Sequence, residues 1–280
     1  ITNLSLDRGQ SSTEMASLFD KAAAGSVAVD AGGMTSAQRD QVAADIVKVS
    51  GVSNLTLNLA YDAATSQTAL DNVAALLGKS SGDDVTASID LAGLSSEQFD
   101  ARVSSLGDAS GADLTVTGFA ANQVLDLSAI GDGIGSVVLV VAGSAADPFE
   151  VTGKFAITGD AAAPVVMTLS GSVDLSAANS LSGVDGIRMA AGSDVRLTPG
   201  QLGAFDIGGD GNILVDLLGE DLTVALDGAA QDLQLQGINL TFINSDEGTP
   251  SAATLALSGQ DDVTLRGIDT GANVRALTVR

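Results

Sequence analysis

No cysteine and no histidine occur anywhere in this chain. Their absence removes disulfide staples, thiol and imidazole chemistry, and the ligand sets of structural zinc sites. Packing has to hold the fold, and a long chain without cysteine fits secretion routes that bypass oxidative folding. Tryptophan is missing as well, and aromatic residues make up 3% of a chain that is 45% hydrophobic. The interior must then be filled by Val, Leu, Ile and Ala, which suit narrow, regularly stacked layers better than a bulky core. Few aromatic rings also argue against a sugar-stacking cleft.

Basic residues are scarce: 12 Lys and Arg stand against 35 Asp and Glu, a formal charge of −23. Binding a polyanion depends on cationic side chains that displace its counterions, so nucleic acid is excluded as a partner, and anionic membrane surfaces are disfavoured. Divalent cations, basic proteins and neutral glycans stay open. The longest apolar stretch, around Val137 to Ala142, is too short to span a bilayer. The chain opens on Ile1 with no basic-then-apolar leader, and the expectation is a soluble, mature or excised piece. Its 280 residues suffice for one large unit or two ordinary domains.

What is present is a repeated strand opener: Asn or Asp, then Leu or Val, then Thr. It occurs as Asn54-Leu55-Thr56, Asp84-Val85-Thr86, Asp113-Leu114-Thr115, Asp221-Leu222-Thr223, Asn239-Leu240-Thr241 and Asp262-Val263-Thr264, with looser copies at Asn3, Ser26, Asp194 and Asp232. Early copies start at 3, 26, 54, 84 and 113, a period of about 28 residues, and later ones at 221, 239 and 262 run closer together. The shorter spacing predicts that later coils lose a helix. Between early openers, Ser12–Ala24, Thr35–Val49, Ser66–Leu77 and Ser95–Leu106 begin on Ser or Thr and end near Gly25, Gly51, Gly78 and Gly107, which are helix start and stop signals. Val42, Ile46 and Val49, like Leu70, Val73 and Leu77, mark one apolar stripe suited to covering a sheet. A phrase shared by Met34–Gln38 and Leu94–Gln98 returns at Leu197–Gln201, where Pro199-Gly200 predicts a turn in place of a helix.

From about Val137 the helical pattern fades, and alternation such as Leu222, Val224 and Leu226 against Thr223 and Ala225 predicts strands. The fold class expected is a β-solenoid, parallel β-helix-like. Residues 1–136 form α/β coils of about 28 residues with one helix each, and residues 137–280 form all-β coils continuing the same stack. Tandem β-sandwich modules compete for the second half, because short strands at 8–12-residue spacing also describe them.

The Ala, Gly, Asp, Thr and Ser richness, the recurrent Asp-Leu-Thr-Val phrases and the lack of cysteine resemble large repetitive bacterial surface proteins of the surface-layer and type I secreted adhesin classes. The resemblance is one of texture across the whole chain and implies an extracellular or cell-surface location. Calcium-binding members of the repeat-in-toxin class carry tandem Gly-Gly-x-Gly-x-Asp turns. Here only Gly208-Gly209-Asp210-Gly211-Asn212 approaches that pattern, once, and its continuation differs.

Asp206, Asp210 and Asp216 surround this Gly turn and are the candidate metal ligands, with calcium the candidate ion, since a hard cation wants carboxylate oxygens on a flexible loop. Calcium takes some 6 to 8 oxygens, so an ordinary turn with a solvated acidic rim is the simpler reading. Asp83-Asp84 and Asp261-Asp262 read as turn residues bonding their own backbone. Asp185, Arg188, Asp194 and Arg196 form the mixed-charge cluster that a polysaccharide-degrading β-helix would use, against which stands a surface ion pair on outward-facing positions. A Thr column could form an ice-binding-like face, but the openers are too unevenly spaced for a matched array. Phe149, Phe155, Phe205 and Phe242 read as core or cap residues.

The function expected is a non-catalytic structural or adhesive module of a secreted, cell-surface repeat protein. It assembles through solenoid ends or cation-bridged acidic faces, with itself or adjacent repeats as partner and surface glycan as a further one. No catalytic residue and no cofactor other than calcium is assigned. A polysaccharide-degrading enzyme and a viral receptor-binding fibre are the alternatives.

Overall fold

The computed structural model describes residues 3–21, 26–46, 54–77, 83–109, 111–128, 130, 133–152, 154–159, 163–202, 204–217, 221–225, 234–236, 238–245, 250–256, 262–264, 267–271 and 273–279. The chain divides into two compact units, one of residues 1–120, 125–139 and 159–165, the other of residues 121–124, 140–158 and 166–280.

The first unit alternates strand and helix: β1 (Asn3–Leu6), α1 (Ser12–Phe19), β2 (Ser26–Asp30), α2 (Ser36–Asp45), β3 (Asn54–Tyr61), α3 (Gln67–Leu77), β4 (Asp83–Asp90), α4 (Ser96–Ser104) and β5 (Ala112–Thr117), then β6 (Val124–Asp126) and β7 (Ile134–Ala142) near its end. β1-β2-β3-β4-β5-β7 are neighbours in that order, and every pairing is parallel. Inward positions are aliphatic and closed to water: Leu4, Leu6, Val27, Val29, Leu55, Leu57, Leu59, Val85, Ile89, Leu114 and Val116 are all buried. The helices cover them, as the apolar stripes predict. Ser11, Thr35 and Ser95 cap α1, α2 and α4, each in a reciprocal box with Glu14, Gln38 or Gln98 that satisfies otherwise orphaned N–H groups.

The openers at Asn3, Ser26 and Asn54 lie directly over one another, but the next two do not. Thr56 pairs with Asp84, and Thr86 with Asp113, so the phrase slips two residues from β3 to β4 and again from β4 to β5. A slip of two preserves which side chains point inward, whereas a slip of one would turn the whole apolar set outward. Asp83 and Asp84 are strand residues of β4 and not a turn, which corrects the reading of that pair; Asp261 lies outside the described residues.

The second unit is mostly strand: β8 (Phe149–Glu150), β9 (Ala156–Thr158), β10 (Val165–Ser170), β11 (Ser172–Asp174), β12 (Ser180–Ser182), β13 (Gly186–Met189), β14 (Asp194–Leu197), α5 (Pro199–Leu202), β15 (Asp206–Gly209), β16 (Asn212–Asp216), β17 (Leu222–Ala225), β18 (Gln234–Gln236), β19 (Asn239–Ile243), β20 (Ser251–Ala256), β21 (Asp262–Thr264), β22 (Gly267–Thr270) and β23 (Val274–Val279). Successive strands are dealt in rotation to separate parallel arrays: β10-β13-β15-β18-β21, then β8-β11-β14-β16-β19-β22, then β9-β12 and β17-β20-β23. All the described pairings are parallel. Hairpin-built sandwich modules need antiparallel neighbours, so that alternative for the second half is overturned.

Two further expectations are corrected. The late openers at Asp221, Asn239 and Asp262 stand at β17, β19 and β21, which belong to three different arrays. Their close spacing is the distance between strands of different arrays; the repeat within one array is 28 residues where Asn239 pairs with Gly267 and 18 where Asp194 pairs with Asn212. The Leu197–Gln201 phrase runs from the end of β14 into the one-turn helix α5, where a turn without a helix was expected. Thr198 and Gln201 make the same reciprocal cap as Thr35 and Gln38, with Thr198 N–H donating to Gln201 Oε1 (2.8 Å) and Gln201 N–H to Thr198 Oγ1 (3.1 Å). Phe155, Phe205 and Phe242 are buried, and half-buried Phe149 meets Phe155 edge-on with centroids 5.8 Å apart.

Candidate functional site

The outward faces hold most of the polar chemistry. In the first unit the register sets Asp30, Asn58, Thr86, Asp113 and Ser136 side by side across five strands. Asn58 Nδ2 donates to Asp30 Oδ1 (2.8 Å), Thr86 Oγ1 to Asn58 Oδ1 (3.3 Å) and Ser136 Oγ to Asp113 Oδ1 (2.5 Å). Such same-face pairs between neighbouring strands stabilise a sheet. The array is mixed in residue type, and Thr stands next to Asp or Asn in it.

β1 to β4 also end on, or just before, an Asp whose carboxylate accepts from the N–H two residues on: Gly9 to Asp7 (2.6 Å), Gly32 to Asp30 (3.0 Å), Ala64 to Asp62 (2.9 Å) and Ala92 to Asp90 (3.0 Å). Asp126 and Asp174 repeat this with Ser128 and Ser176. These Asp turns, in which a Gly, Ala or Ser stands two residues after the Asp, are the second repeated phrase of the chain. The recurring Asp-Leu-Ser and Asp-Leu-Ala triplets carry the signal in the sequence.

At Asp62 the turn acquires further partners. Arg39 Nη2 lies 2.8 Å from Asp62 Oδ2, and from α4 the buried Arg102 donates to the carbonyls of Asp62 (2.6 Å), Thr65 (3.2 Å) and Gln98 (2.7 Å). Burial raises the Asp62 carboxyl, but the Arg39 guanidinium, Ala64 N–H and Thr65 hydroxyl outweigh it, and the net shift is downward. Burial lowers Arg102, opposed by the charge of Asp62. Tyr61, whose phenol accepts from Ser105 Oγ (3.2 Å), is pushed up to about 12 chiefly by burial. Beside this cluster a small apolar crevice of about 50 Å³ runs between Val29, Val42, Ile46, Leu59, Ala69 and Val73.

In the second unit, the candidate calcium ligands fall on different elements. Asp206 opens β15, Asp210 lies in the turn after it, and Asp216 ends β16. The first and last thus lie in different arrays with the turn between them. Asp216 is buried and engaged: Arg196 Nη2 bonds its Oδ2, and Ser245 N–H donates to its Oδ1 (3.0 Å). Among the described residues no group of three or more carboxylates converges to hold a metal ion.

The mixed-charge cluster is also divided by the fold. Arg196, on β14, lies between Asp174 (3.7 Å) and Asp216 and so links three successive strands of one array. Arg188 is on β13 in another array; it lies across Gly186 and Gly208 and donates to the carbonyls of Ile187 (3.0 Å) and Asp206 (3.2 Å). Arg196 therefore acts as a clamp between neighbouring parallel strands. Beside β12 and α5 a polar groove of about 490 Å³ is lined by Asn179, Ser180, Ser182, Thr198, Gln201 and Phe205, among others.

No known protein family, curated protein or solved structure matches this chain. Among the described residues no helix is long and apolar enough to cross a membrane.

Proposed function

We propose that this chain is a non-catalytic structural or adhesive module of a secreted, cell-surface repeat protein, resembling the surface-layer and type I secreted adhesin classes, and that it assembles by adding coil to coil. On this reading, the rotation of strands among parallel arrays is a β-solenoid, and its acidic faces are bridged by divalent cations. One observation carries it: the interior columns run out uncovered at β22 and β23. Leu240 and Leu255 are fully buried, whereas Ile268, stacked on Leu240, is 38% exposed, and Val279, stacked on Leu255, is 50% exposed. A further parallel coil, from a second copy or from adjacent repeats, covers those side chains and pairs the free strand edges.

The polar ladders and Arg196 support the same reading, because they spend the outward charge on holding coils together. Light scattering and electron microscopy of the chain with calcium and with chelator test it. The expected outcome is concentration-dependent, end-to-end growth that calcium promotes; a monomer under both conditions at about 100 μM, far above a specific self-association constant of ~1 μM, sinks it.

A further inference from the structure

We infer that the groove beside β12 is a docking site for an extended peptide, which adds to the edge of β12 as a strand. Within the second unit β12 pairs with β9 along one edge, Ser180 with Ala156, Leu181 with Ile157 and Ser182 with Thr158. Among the described residues no strand pairs with its other edge. There the rotation of strands is interrupted: after β14 the chain forms α5 where a third-side strand is due, and strands resume on that side only at β17. The polar groove lies between β12 and α5. An unpaired edge offers main-chain N–H and C=O groups at strand spacing, and an edge of three residues presents about 10 Å of it; the Ser182 N–H now donates to Ser180 Oγ (3.3 Å) and the Leu181 carbonyl accepts from Val184 N–H (3.4 Å), long local bonds that an incoming strand replaces.

The chemistry of the occupant follows from the lining and from the strand already in place. None of the residues that line the groove is charged, in a chain of net charge −23. A charged side chain entering it loses hydration and gains no counter-charge. On the filled edge of β12, aliphatic Ile157 (0% exposed) stacks on Leu181 (8%), flanked by the small residues Ala156 and Thr158. The matching occupant is a neutral segment with one aliphatic residue between two small ones, its backbone supplying affinity and its central side chain extending the Ile157–Leu181 column. This site is independent of coil-to-coil growth.

The test uses the whole chain and a fluorescein-labelled peptide copying residues 155–159, read by fluorescence anisotropy. Gly200 lines the groove, and a Cβ built there meets nothing within 4 Å, so Gly200→Trp fills the groove without displacing packed atoms. Ala204→Trp, on an exposed lining residue, is the second filling variant should the first alter the circular dichroism spectrum. Expected are saturable binding with a Kd at or below about 1 mM, and at least tenfold weaker binding to a folded filling variant. A peptide with Asp at the position of Ile157 should also bind at least tenfold more weakly. No binding to the unaltered chain, equal binding to a folded filling variant, or a neutral oligosaccharide occupying the groove when the peptide does not, each overturns the inference. The filling variants retain the calcium-dependent growth of the parent, so failure of this site and failure of the scaffold reading are separately visible.

Discussion

At the scale of single residues, the informative groups are the charges that the fold has drawn in. Asp62 directly follows β3, and its carboxylate accepts from Arg39, Ala64 N–H and Thr65 at once. Its pKa is lowered from 3.8 in the folded chain, so folding favours the ionised form. That contribution is fully present above the unfolded value and is lost as pH falls through the lower folded value. Because the carboxylate is about one-third exposed, solvent screening holds its worth to about 0.5–1 kcal/mol. Asp62→Asn should therefore melt below the parent at pH 7, and the gap between them should close as both are acidified below pH ~3.8. Thermal melts of the two chains at matched ionic strength measure it; a constant gap from pH 7 to pH 2.5 shows that Asp62 acts by shape and not by charge.

At the scale of elements, the four early helices were legible because their start signals are local: each opens on a Ser or Thr, and at Ser11, Thr35 and Ser95 a Glu or Gln three residues on closes the cap. What the cap does beyond its own helix was not legible. Gln38 completes the α2 box and also donates Nε2 to the carbonyls of Arg8 (3.2 Å) and Gln10, between β1 and α1, and Gln201 does the same to Leu175 (2.9 Å). Glu14, in the equivalent box of α1, is exposed and bonds Ser11. Gln38→Ala should thus cost about 2 kcal/mol in urea unfolding and Glu14→Ala clearly less; equal losses mean that the bonds to Arg8 and Gln10 contribute nothing. The short strands were the other blind spot. β8, β9, β11 and β12 have two or three residues each, too few to establish an alternation. Asp206, Asp210 and Asp216 are near in sequence, yet the turn at Gly211 sends β15 and β16 into different arrays, a direction that no spacing of residues encodes.

At the scale of the whole molecule, the composition governs stability through charge. Twelve cations can neutralise at most twelve of the 35 carboxylates, which leaves a large excess of negative charge to repel itself across closely spaced parallel strands. Some of that excess is absorbed locally: the strand-ending Asp residues are held by backbone N–H groups, and Asp113 by Ser136. Hydrogen bonds of this kind position a carboxylate without cancelling its charge. Salt screens the repulsion over about 10 Å at 0.1 M, a length that spans two strands in the stacking direction. It also weakens pairs such as Arg39–Asp62, but exposed pairs are worth little. The repulsion therefore dominates the balance, and the melting temperature should rise by several degrees when sodium chloride is raised from about 20 to about 300 mM, most of the gain coming in the first 100 mM as the screening length shortens. A melting temperature that falls over this range would mean that the few ion pairs outweigh the excess carboxylates, and that the acidic faces contribute no resistance for cations to relieve.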